Sequence, residues 1–89
     1  KLDIWKKEGY CEYVSGEGAF NLKRGIELIY NGVNDASPSF QYLKYRLLVT
    51  YLLDEKGHSF ESFINTEFDL RQLEQELREY LRNKYKSFY

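Results

Sequence analysis

Residues 42–53, "YLKYRLLVTYLL", alternate along the chain. In an extended segment Leu43, Tyr45, Leu47, Val49, Tyr51 and Leu53 share one face, and Tyr42, Lys44, Arg46, Leu48, Thr50 and Leu52 share the other. The first face is wholly apolar and the second mixed, the period-two signature of a half-buried strand. Val49, Thr50 and Tyr51 favour strands as well. The helical alternative has good ends: Ser37 as N-cap, Pro38 in the first turn and Gly57 as the stop. Wound as a helix, however, the apolar side chains scatter around the whole circumference and need burial on every side. A chain of 89 residues is short for that, so the segment reads as a strand.

The flanking residues fit a sheet. "DEKG" before His58 reads as a hairpin loop with Gly57 free to turn, and "HSFESFI" returns with Phe60, Ser62 and Ile64 on one face. Upstream, "AFNLKRGIELIY" puts Phe20, Leu22, Ile26, Leu28 and Tyr30 on one face, interrupted by Arg24. A helix over 20–33 competes there, and Gly25 weakens it. "YCEYV" reads as another strand before the turn "SGEG", and "NGVNDASPS" is a loop.

The C-terminal segment has helical spacing: Leu70, Leu73, Leu77, Tyr80, Leu81 and Phe88 recur on one side. Thr66 or Asp69 can cap it, Glu67–Arg71 and Glu74–Arg78 are favourably oriented pairs, and acids precede bases along it. The expected architecture is α+β: an antiparallel sheet of about four strands followed by a C-terminal amphipathic helix packed on one face. One such domain covers residues 1–89. The β-β-β-β-α order resembles, in outline, that of PUR repeats and Whirly-type single-strand binders. No sequence motif of theirs is present, and no residue role is carried over.

Composition changes this picture at a few points. Aromatic residues reach 18%, nine of them tyrosine, which argues against disorder and suits a surface half wet and half apolar. Cys11 is the single cysteine, so an internal disulfide and a cysteine zinc site are excluded, and a reducing, cytoplasmic setting is expected. The N-terminus lacks the apolar core of a signal peptide, and apolar runs stop at three residues, too short to span a membrane. A chain without methionine that starts at Lys1 reads as processed or as a fragment. Low alanine with abundant Tyr, Lys, Asn and Phe fits an AT-rich genome, for example a viral one. Net charge is −1, which gives no overall attraction to nucleic acid. The charge is uneven: residues 54–76 carry seven acids against two bases, and the end "RNKYKSFY" is a basic aromatic tail.

No residue set forms a catalytic, calcium, zinc or phosphate-loop motif. His58 is expected as a solvated turn residue and Cys11 as a small buried apolar one. No cofactor or metal is expected. The sheet face left open by the helix, with Tyr42, Lys44, Arg46, Leu48 and Leu52, is the expected contact surface. The favoured function is a small non-enzymatic interaction module that dimerises or binds a protein partner, in a regulatory or inhibitory role. The alternative is a single-stranded DNA or RNA binder. In it Lys23, Arg24, Lys44 and Arg46 hold phosphates while Tyr42 and Trp5 stack on bases.

Overall fold

Among the described residues, four of the five α-helices start on a side-chain cap. Asn21 Oδ1 accepts from the Arg24 amide at 2.8 Å, Ser37 Oγ from Phe40 at 3.3 Å, Ser59 Oγ from Ser62 at 3.0 Å and Asp69 Oδ1 from Gln72 at 3.2 Å. Each cap satisfies one of the amides that a helix start leaves without an internal partner. The helices are α1 (Ile4–Ser15), α2 (Leu22–Tyr30), α3 (Pro38–Thr50), α4 (Phe60–Asn65) and α5 (Leu70–Tyr85). A π turn, Tyr51–Glu55, prolongs α3. The computed structural model describes residues 2–16, 18 and 20–86. Lys1, Glu17, Ala19 and the end of the basic tail, including Phe88, lie outside the described residues. Alanine at Ser37 removes the cap of α3. It is expected to cost about 1 kcal/mol, read as a lower urea midpoint at unchanged slope, with Ser37→Asn close to wild type.

No strand occurs among the described residues, so the α+β expectation is corrected to an all-helical fold. The outline resemblance to PUR repeats and Whirly-type binders goes with it. The decisive segment is α3, which lies at the centre with α1, α2 and α5 packed around it. Phe40, Leu43, Leu48 and Val49 are buried, while Tyr45, Leu47, Tyr51 and Leu53 pack half-buried against the same core. Apolar positions all round the helix are what enclosure on all sides requires. Three neighbours, α1, α2 and α5, cover most of it within 89 residues. The Cα radius of gyration is 12.4 Å, against about 12 Å for a close-packed chain of this length.

Two helical glycines allow that enclosure. A Cβ on Gly9 would lie 2.5 Å from the Tyr45 carbonyl oxygen and 2.8 Å from Val49 Cγ2, so α1 and α3 are in backbone contact there. At Gly25 of α2 a Cβ would meet the Leu43 side chain of α3, not its backbone. Gly25 was weighed against a helix over 20–33, but it is a point of helix–helix approach. The segment "YCEYV", expected as a strand, lies inside α1. Residues 60–64 form α4 instead of a returning strand.

The helix ends are closed as economically as the starts. Gly32, at φ 75°, follows α2 and donates to the Ile29 carbonyl at 3.0 Å, while Val33 donates to Leu28 at 2.9 Å. This paired arrangement needs the left-handed conformation that glycine adopts without penalty. Arg82 of α5 donates to the Tyr30 carbonyl at 2.8 Å and completes the end of α2. Lys6 of α1, 4% exposed, donates to the carbonyls of Thr66 at 2.6 Å and Ile64 at 3.3 Å, where α4 ends. Its ammonium also lies 5.2 Å from the Phe68 ring centre and 5.7 Å from that of Phe63. A buried lysine is tolerable here because its charge meets carbonyl dipoles and ring faces.

The C-terminal helix runs Leu70–Tyr85 with Leu73, Leu77 and Leu81 buried, but it packs on helices, not on a sheet. Glu74 pairs across to Lys44 of α3 at 3.0 Å in place of the expected bond to Arg78, which donates to Gln75.

Candidate functional site: a tyrosine-rimmed cleft beside the π turn

The expected contact surface does not survive as one face. Leu48 and Leu52 are core residues at 0% and 2% exposed, because a helix turns them inward where a strand would have turned them out. Tyr42 is exposed on α3, Lys44 is held by Glu74, and Arg46 is half-buried. Lys23 and Arg24 lie exposed on the first turn of α2. Trp5 is nearly buried, packed edge-on against Phe63 and Phe68 with ring centres 6.1 Å away in both cases. Cys11 is exposed on α1, not buried. His58 is half-buried, its Nδ1 3.0 Å from Ser62 Oγ and its ring 5.4 Å from that of Phe68. No group of three His, Cys, Asp or Glu is placed to hold a metal ion among the described residues.

The arrangement with the most chemistry was not anticipated. Between α2, the end of α3 and α5 lies a cleft of about 150 Å³. Ile26, Leu47, Leu77 and Leu81 form its apolar floor. Its rim carries Tyr51, Asp54 and Glu55 from the π turn, and Tyr80, Lys84 and Tyr85 from α5. The π turn is what brings the first group there. The Lys56 amide donates to the Tyr51 carbonyl at 2.9 Å, five residues back, and the His58 amide to Leu52 at 3.0 Å. Such widened turns are uncommon and occur often at functional sites.

The rim side chains are interlinked. Tyr13 of α1 donates its hydroxyl to Asp54 Oδ1 at 2.7 Å. Tyr51 donates to Glu76 Oε1 at 3.3 Å, and its ring lies 5.2 Å from that of Tyr80. Lys84 donates to the Tyr80 hydroxyl at 3.0 Å, its Nζ 5.5 Å from the Tyr80 ring centre and 5.4 Å from that of Tyr85. Glu55 is exposed, and its charge contributes to the raised pKa of Tyr51.

Titration behaviour follows from these contacts. The hydrogen bond to Asp54 raises the pKa of Tyr13, and burial followed by the Glu76 charge raises that of Tyr51. The bond to Tyr80 raises that of Lys84. Away from the cleft, the Ser37 amide donates to Asp35 at 2.8 Å and lowers its pKa. Of these groups Tyr51 and Lys84 line the cleft.

An apolar floor with carboxylates at the rim suits a long side chain that carries a positive end. The cleft volume matches one such side chain and is too small for a cofactor. Two other concavities are more open. One, between α2 and α5, is edged by Lys44, Arg71, Glu74 and Arg78. The other exposes Leu2 and Ile4 beside Trp5, Tyr45, Phe68 and Leu70.

No protein-family model matches this chain, and no curated protein and no solved structure does so either. No helix among the described residues is long and apolar enough to cross a membrane.

Proposed function

We propose that this chain is a small non-catalytic interaction module that seats a lysine or arginine side chain of a protein partner in the cleft beside the π turn. The observation that carries this reading is the cleft itself: four apolar side chains below, Asp54 and Glu55 above, and tyrosine rings between. The methylene stem of a basic side chain packs on the floor while its charge meets the two carboxylates. Tyrosine suits this rim because it offers an apolar face and a polar tip with little conformational freedom to lose. A reducing, cytoplasmic setting fits the lone exposed thiol of Cys11.

The test is calorimetric titration with hexalysine at low and physiological salt. The double variant Asp54→Asn/Glu55→Gln is expected to weaken binding about tenfold, the loss of the cation's contact with both carboxylates. The double variant Glu61→Gln/Glu67→Gln removes the same charge away from the cleft, and its effect is expected to stay within about twofold, the scale of screened long-range attraction. Equal weakening by both would mean diffuse attraction to an acidic surface and would remove the cleft from the reading. Light scattering run alongside distinguishes self-association from capture of a different partner.

A further inference from the structure

We propose that Lys84 is the resident cation of this cleft, a side chain of the protein's own that covers the tyrosine rings until a partner's lysine or arginine displaces it. The inference rests on the cleft being the partner site and adds how that site is regulated. Lys84 lines the cleft and places its ammonium about equally far from the rings of Tyr80 and Tyr85. The cleft thus already holds a cation against the surfaces that a ligand cation would use.

The way Lys84 is held makes it displaceable. Its hydrogen bonds go to the neutral hydroxyls of Tyr80, one turn back on the same helix, and of its neighbour Tyr85. No ion pair joins it to Asp54 or Glu55 among the described residues, although both line the same cleft. Lys84 is exposed, near the end of α5, on a flexible four-carbon stem. Swinging it into water gives up surface hydrogen bonds to two tyrosines and two ring contacts, a small cost because water replaces the hydrogen bonds. An incoming cation regains the rings and, in addition, the exposed carboxylate of Glu55, which forms no ion pair with Lys84 among the described residues. Lys84 therefore sets a threshold: a weakly basic segment does not displace it, and one that reaches Glu55 does.

The experiment compares Lys84→Gln with Lys86→Gln by titration with hexalysine. Lys86 is the charge-matched control: it is exposed at the end of α5 and has no ring contact among the described residues. Lys84→Gln is expected to bind about three- to tenfold tighter than wild type, and Lys84→Arg about as wild type. Lys86→Gln is expected to change binding by no more than about twofold, through net charge alone. Equal gains at positions 84 and 86 would overturn the displacement. Wild-type binding that depends on Asp54 and Glu55, with no gain in Lys84→Gln, overturns it while leaving the cleft as the partner site. Absence of binding in every variant overturns both. A ligand-free readout stands beside these. The terminal methylene protons of Lys84 are expected upfield of those of Lys86 in the proton spectrum, shifted by the two rings, and coincident positions would overturn the resident-cation geometry.

Discussion

Leu48→Ala is expected to destabilise the protein by about 2–5 kcal/mol, with Leu52→Ala in the same range. Both side chains are almost wholly enclosed, Leu48 at 0% exposed, so truncation leaves a cavity that surrounding helices fill only in part. For a small domain this is a large share of the total stability, roughly 5–15 kcal/mol. Leu48→Met conserves volume and is expected to lose less than about 1.5 kcal/mol, so the effect remains measurable if the alanine variant unfolds. Tyr42→Ala, on the exposed side of the same helix, is expected to change stability by only about 0.5 kcal/mol. Urea denaturation reads all four. The contrast bears on the secondary structure of this segment, because a half-buried strand with Leu48 on its open face makes Leu48 and Tyr42 equivalent. Equal small losses at the two positions would contradict a central helix.

The second large effect is expected at Gly9. Alanine there raises helix propensity by about 1 kcal/mol, and on an isolated helix it is stabilising. In the folded chain its Cβ meets the backbone of α3, at 2.5 Å from the Tyr45 carbonyl oxygen. A main-chain oxygen inside a helix cannot rotate away, so α1 has to lift off α3. A net loss of about 1–3 kcal/mol is expected, against the propensity gain. Gly25→Ala serves as the comparison. The group in its way is the end of the Leu43 side chain, which can change rotamer, so its loss is expected to be smaller. A stabilised Gly9→Ala variant would mean that α1 and α3 do not touch at this point.

Both predictions bear on why the sequence was only partly legible. α5 could be read because one of its faces is buried, so its leucines recur at helical spacing and Asp69 marks its start. α3 has less contrast. Packed against neighbours over most of its circumference, with Tyr42 left exposed, it shows no clean helical stripe, and its alternation of apolar and mixed positions is incidental. The end signals, Ser37 with Pro38 and Gly57, were right, and the assumed shortage of neighbouring chain outweighed them. The glycines misled in the same direction, since a glycine in a helix reads as weakness until the neighbour it admits is known. α4 is only six residues long, too short for any periodicity, though its Ser59 cap is visible.

The cleft was legible in half. Tyr80 and Lys84 are one turn apart on a readable helix, and that spacing alone places a cation beside a ring. In the strand reading Tyr51 belongs to a strand end and Asp54 and Glu55 to a hairpin loop. Their convergence depends on a π turn, which has no sequence signature comparable to a cap or a turn dipeptide. Lys44 and Arg46, singled out for their charge, were placed by the wrong period. Lys44 answers Glu74 across the α3–α5 contact, and neither residue lines the cleft.

The most direct test is an amide correlation spectrum of the labelled protein titrated with hexalysine. Shifts concentrated on residues 50–56 and 80–85, weakened in Asp54→Asn/Glu55→Gln and carried through to saturation, are expected if the cleft beside the π turn receives a basic side chain. Shifts spread over the acidic residues of 61–76, or none at low salt where attraction is strongest, would contradict it.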